Sequence, residues 1–174
     1  MVRNGAVRAI HTAPEASAPM EARERVEAVA GRGLRGDRYF AGEGTYSDSA
    51  RDISREITFI EVDTLKAIQR GYGIELAPGA HRRNVTTHGV ALNHLVDERF
   101  RVGDVTCEGA ELCAPCSYLE QLLETAGVHD ALVHRGGLRA RIVTDGTLQV
   151  GDPVVVEQFD DPTQETNRSP LGEQ

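Results

Sequence analysis

The sequence predicts a mainly β protein with a few short helices, built as a barrel or sandwich rather than a parallel α/β sheet. Three observations carry that reading. Apolar residues alternate with polar ones in short runs, Gly and Asp turns separate those runs, and few stretches repeat with a helical period.

Taken in order, "AVRAIHTA" (6–13) and "REITFI" (55–60) both have strand character. "EVDTLKAIQRG" (61–71) places Val62, Leu65 and Ile68 on one side of a helix and reaches Gly71 as its stop. "RFRVGDVTCEGAEL" (99–112) sets Phe100, Val102 and Val105 against polar neighbours, with a turn at Gly103-Asp104. "SYLEQLLETAG" (117–127) spaces Leu119, Leu122, Leu123 and Ala126 helically, opens on the capping box Ser117-x-x-Glu120 and ends at Gly127. A short third helix is expected within "HDALVHRGG" (129–137). In "LRARIVTDGTLQVGDPVVV" (138–156), Asp145-Gly146 reads as a two-residue hairpin turn and Gly151-Asp152-Pro153 as a second turn.

Residues 1–157 are expected to form one domain, followed by a polar, disordered tail over 158–174. No run of 18 apolar residues exists, and "MVRNGAVRAIHTAPEASAP" lacks the apolar stretch of a secretory signal. With three cysteines, thiols rather than a disulfide framework are expected, and the protein reads as cytoplasmic. A net charge of −8 argues against nucleic acid as a partner. From Glu157 onward the chain carries Glu157, Asp160, Asp161, Glu165 and Glu173 against Arg168, a net −4 and half of the total. Lys66 is the only lysine beside eighteen arginines, so oxyanion recognition rests on guanidinium groups.

All three cysteines lie in "CEGAELCAPCSYLEQLL" (107–123). A structural zinc site needs four N/S ligands, but no second C-x-x-C and no paired histidines follow Cys113 and Cys116. A thioredoxin-like dithiol places its first cysteine at a helix start in a parallel sheet, whereas here the second cysteine adjoins the helix. Cys116 is therefore expected as a single activated sulfur, its thiolate favoured by the N–H groups of the first helical turn. Such a thiolate serves as nucleophile, persulfide carrier or soft-metal ligand. Cys107 reads as core packing, and Cys113 as a neighbour of the working sulfur.

Other marked stretches are weaker by themselves. "HRRNVTTHGVALNHLV" (81–96) brings Arg82, Arg83 and Asn84 before a β-branched run, a pattern able to hold an anion. "GLRGDRYF" (33–40) reads as a tight turn closed by an Asp37–Arg38 ion pair. Ser54 and Arg55 precede a strand in "SREITFIE" (54–61). No G-x-G-x-x-G, P-loop, G-x-S-x-G or H-E-x-x-H string is present, so nucleotide binding and serine hydrolysis have no support.

In order and spacing, "GLRGDRYF", "SREITFIE", "HRRNVTTHGVALNHLV", "RFRVGDVTCEGAELCAPCSYLE" and "HRGGLRARIVTDGTLQVGDPVVV" resemble the MOSC domain, named for the C-terminal domain of molybdenum cofactor sulfurases. The likeness spans about residues 5–157 and is to the small stand-alone bacterial members. It implies a strongly curved, barrel-like sheet with peripheral helices, and a single cysteine that carries sulfur or binds the molybdenum of a pterin cofactor. The matching position is Cys116, as catalytic residue and metal ligand. The family's Arg-x-Asn string maps cofactor contacts onto Arg82 and Asn84, and a looser match adds Ser54 and Arg55. The resemblance implies an oxidoreductase that reduces N-hydroxylated compounds with an external electron donor. The alternatives are a persulfide carrier fed by a cysteine desulfurase, or a non-catalytic binding module with structural cysteines. The sulfurases' aminotransferase-like domain is missing and Lys66 lies on the polar side of a helix, so no pyridoxal phosphate chemistry is expected. No membrane partner is expected either.

Overall fold

The computed structural model describes residues 5–42, 55–114 and 117–156. Ser54, Cys116 and the tail over 158–174 lie outside the described residues.

A closed barrel forms the centre of the molecule, as the alternating runs predicted. Its strands are β1 (Gly5–Thr12), β5 (Ile57–Glu61), β6 (Val85–His88), β7 (Arg99–Val102), β8 (Val105–Leu112), β9 (Leu138–Ile142) and β11 (Pro153–Val156). They run in the order β11-β7-β8-β9-β5-β6-β1, and the β1–β11 pairing (Gly5↔Val154) closes the ring. Closure removes the free edges that the seven barrel strands would otherwise present. β2 (Glu21–Arg23) adds to the end of β1. Every barrel pairing is antiparallel except β5–β6. Parallel neighbours need a crossover, and here helix α1 (Val62–Tyr72) supplies it.

A small second sheet, in the order β10-β3-β4, packs on the barrel: β3 is Arg25–Val29, β4 is Gly33–Leu34 and β10 is Gly146–Gln149. Its Val26, Ala28, Leu34 and Leu148 join the barrel core of Ile10, Ile57, Phe59, Val85, Phe100, Val105 and Leu138. Phe59 and Phe100 meet edge to face at 5.4 Å, a geometry that contributes about 1 kcal/mol beyond area burial.

This sheet corrects the hairpin expected at Asp145-Gly146. β9 stays in the barrel, while β10 leaves it to pair with β3 (Leu148↔Val26). Asp145 instead accepts the Ala30 N–H through Oδ1 at 2.7 Å. A turn dipeptide specifies a sharp reversal, but the partner of the next strand is set by which apolar face it must cover.

Outside β5, the helices build a second core from Ile60, Ile68, Ile74, Leu119, Val128, Ala131 and Leu132. Helix α1 ends two residues beyond the expected stop. Gly71 lies inside it, and Gly73 takes the left-handed conformation (φ 65°), its N–H bonding Gln69 O. Helix α2 (Ser117–Leu123) is only seven residues long, and α3 (Val128–Ala131) follows. Glu120 does not close a capping box within α2. Its carboxylate reaches forward to the N–H groups of Gly127 (3.4 Å) and His129 (3.0 Å), capping the start of α3. Among the described residues no helix is long and apolar enough to cross a membrane.

Gly137 (φ 105°) shows why the joint between α3 and β9 is glycine-rich. A Cβ there would collide with the carbonyl oxygen of Phe59.

Candidate functional site

The chain entering β6 carries most of the candidate site. Ala80 N–H bonds Ala77 O and Arg82 N–H bonds Gly79 O, so the residues before the strand are wound into tight turns. Gly79 (φ 78°) presses on the His11 ring, where a side chain would not fit. Arg82 then adopts φ 63°, a conformation that L residues with long side chains rarely take. Strain of this kind persists where surrounding contacts enforce it, and it gathers at binding sites.

Three successive side chains leave this stretch in three directions. Arg83 turns towards the α3–β9 joint, where Nε donates to Gly136 O at 2.9 Å and Nη1 to His81 O at 3.0 Å. Asn84, 1% exposed, points into the protein. Its Oδ1 accepts from the Thr58 N–H and hydroxyl, both at 3.1 Å, and its Nδ2 donates to His11 O at 3.2 Å. Asn84 thereby stitches β1, β5 and β6 together.

Arg82 takes the third direction. Its Nη1 donates to Ala18 O at 2.7 Å, and Arg38 Nη2 donates to the Arg82 carbonyl at 3.3 Å. Although Arg82 is only 9% exposed, its guanidinium makes no ion pair among the described residues. It lines a groove of about 300 Å³ with Ser17, Pro19, Met20, Pro78, Leu122 and Leu123. Burial first, then the neighbouring Arg38, hold its pKa below the usual guanidinium value. An arginine keeps its charge under such a shift, so the groove has a positive floor between apolar walls.

The expected Asp37–Arg38 pair is present at 3.0 Å, and it is buried. Asp37 also accepts the N–H groups of Ala13 (3.1 Å) and Tyr39 (3.3 Å), which ties the β1–β2 loop to the segment after β4. That carboxylate is thus committed to structure, and the Arg82 charge is left for the groove.

Across the groove stands α2, whose first residue follows Cys116 in the chain. Tyr118 and Leu122 share one face of it, four residues apart. The Tyr118 hydroxyl hydrogen-bonds Ser17 Oγ, and Leu122 lines the groove. Ser17, like Arg82, has φ 63°.

Behind the groove, His81 is buried with its Nδ1 accepting the Arg83 N–H at 2.9 Å. The ring proton therefore belongs on Nε2, which meets Thr86 Oγ1 at 3.3 Å. Burial, then Arg83 and His11, push the His81 pKa down to about 3, so the imidazole stays neutral.

Of the residues the sequence singled out, Arg82 opens to the groove and Asn84 supports it from behind. Arg55 is half-buried just before β5, while Ser54 and Cys116 are not among the described residues. Cys107 lies in the barrel core, where burial raises its thiol to about 12, and Cys113 is buried in the loop after β8. Sequence reading missed Ser17, Met20 and Tyr118. It read Leu122 only as part of a helically spaced apolar set, and that residue is 36% exposed and faces the groove.

A family model described as the MOSC domain matches residues 8–155. Among solved structures, the chain is similar to the YuaD protein from Bacillus subtilis, at 17% identity over 91% of this chain and 100% of that one, with a TM-score of 0.72. It is also similar to YiiM from Geobacillus stearothermophilus, at 14% identity over 88% of this chain and 75% of that one (TM-score 0.67). YiiM from Escherichia coli gives 14% identity over 91% and 71%, with a TM-score of 0.64. At these identities the likeness concerns the fold. No curated protein matches the chain.

Proposed function

The chain belongs to the MOSC domain family, a family associated with molybdenum cofactor binding, and from that premise we propose that it holds a molybdenum–pterin cofactor in the groove at Arg82, with Cys116 as the metal ligand. The observation that supports this most is Arg82 itself. Arg82 is only 9% exposed on a strained backbone, and among the described residues its guanidinium has one hydrogen bond and no ion pair, which is costly unless an anion completes it.

The residues present suit the group. Its phosphate and dithiolene are anionic, matching the positive floor, and a flat pterin suits walls of Pro19, Met20, Pro78 and Leu122. A thiolate at Cys116 is a soft ligand appropriate to molybdenum. Arg82 would neutralise negative charge, and Asn84 and Arg38 would keep Arg82 in place. When bound, the cofactor supplies two-electron redox chemistry.

The reaction we assign is reduction of N-hydroxylated compounds. Two electrons from an external donor and two protons cleave the N–O bond, giving the N–H product and water. The chain's own part is to exclude water with the apolar walls and to fix the anionic group electrostatically.

The test is to purify the protein from a host that makes the cofactor and to measure molybdenum and pterin. Stoichiometric amounts of both, lost in Arg82→Gln, are expected. Absence of both, together with a desulfurase-dependent persulfide on Cys116 by mass spectrometry, would transfer the assignment to a sulfur carrier.

A further inference from the structure

Away from the groove, one buried carboxyl has no part in the proposed function. Glu56 precedes β5 and is 6% exposed, and among the described residues its Oε1 has no hydrogen-bond partner. The carboxyl lies beside the main-chain N–H groups of Gly31, in the turn between β3 and β4, and of Ile142, at the end of β9. It therefore sits where the small sheet meets the barrel. Asp145 holds the same turn one residue earlier, through the Ala30 N–H.

Several groups bear on this carboxyl. Arg141 of β9 favours its ionised form, while the Cys107 thiol of β8 stands close by in the barrel. Arg55 is its chain neighbour, and Arg32 belongs to the small sheet's turn but stacks over the Phe40 ring at 4.3 Å. Arg141 is itself shared with Glu108 at 2.9 Å. An ionised Glu56 thus holds one buried oxygen that has nothing to accept among the described residues. A neutral carboxyl tolerates that site, whereas a carboxylate demands water.

We propose that Glu56 is a proton-operated clamp between the small sheet and the barrel: with the proton on, the turn at residues 30–31 stays seated, and with it off, water enters and the turn opens. The consequence reaches the groove. The turn leads through β4 to Asp37 and Arg38, and Arg38 holds the Arg82 carbonyl. Ionisation of Glu56 loosens the segment that braces Arg82. Burial raises the Glu56 pKa to about 7, which places the clamp's working range around neutrality.

Amide hydrogen exchange on the full chain reads this out at Ala30, Gly31 and Arg38. With the closed-state pKa at about 7 and the ordinary 4.5 on opening, the opening constant should rise about tenfold from pH 6 to pH 8, after correction for intrinsic exchange. Glu56→Gln, an uncharged mimic of the protonated group, should remove that rise. Equal pH dependence in both proteins, or none in the wild type, overturns the proposal. Should Glu56→Gln fail to fold, the carbon-13 titration of the wild-type Glu56 carboxyl decides. A midpoint above about 6 sustains the clamp, and one at or below it sinks the clamp.

Discussion

Replacing Asn84 by alanine separates a residue that shapes the site from one that serves it. The substitution removes three side-chain hydrogen bonds, two accepted from Thr58 and one donated to His11 O. What it leaves behind matters more. The Thr58 N–H loses its acceptor in a position closed to solvent, and the His11 carbonyl loses a donor. A buried polar group stranded in this way costs about 1–3 kcal/mol, so the variant should lose about 2–5 kcal/mol. For a chain of this size that is a fall of roughly 5–15 °C in Tm. Urea unfolding followed by far-UV circular dichroism gives the free energy directly. Arg82→Gln is the control: it forfeits a single hydrogen bond to Ala18 O and relieves a buried charge, so its stability should stay within about 1 kcal/mol of wild type. An Asn84→Ala loss below about 1 kcal/mol would refute the reasoning, because the three bonds would then not be what joins β1, β5 and β6.

Other outcomes follow from the same contacts. His81 is neutral in the fold and takes a proton on unfolding, so its contribution to stability is complete above about pH 6.5 and is lost as pH falls towards 3; urea unfolding between pH 4 and 7 should show a slope that His81→Asn reduces. The loss across that window is on the order of 3 kcal/mol. Gly137→Ala should cost more than about 4 kcal/mol or abolish accumulation of folded protein, judged by soluble yield and Tm, since both its positive φ and the Phe59 carbonyl forbid a side chain.

The barrel was legible because burial writes a two-residue period. Phe100, Val102 and Val105 face inward as their spacing predicts, and Cys107 and Ile142 pair across the wall. Strand partnership was less legible. Asp145-Gly146 signals a turn whether the next strand folds back or departs to another sheet, and here β10 departs to cover Val26 and Ala28. Helix ends slipped for a related reason. Gly71 and Gly73 look alike in sequence, and the stop falls where Ile74 can return to pack on Ile68.

The candidate site was half legible. Consecutive Arg82, Arg83 and Asn84 marked an anion-binding stretch, but sequence alone does not say that their side chains diverge. That divergence comes from the left-handed Arg82 and from Thr58, 26 residues away, taking up Asn84. Ser17 and Tyr118 meet across 101 residues, and no local pattern announces such a pair. Leu122 left a partial trace: its helical spacing marks an apolar face, and on a helix of two turns that face includes the groove wall.

A thiolate bond from Cys116 to molybdenum is the point on which the proposed function turns. X-ray absorption at the molybdenum edge of the purified protein measures it directly. The wild type should show one more sulfur around the metal than Cys116→Ser. Identical spectra for the two proteins, or no molybdenum in the wild type, would contradict it.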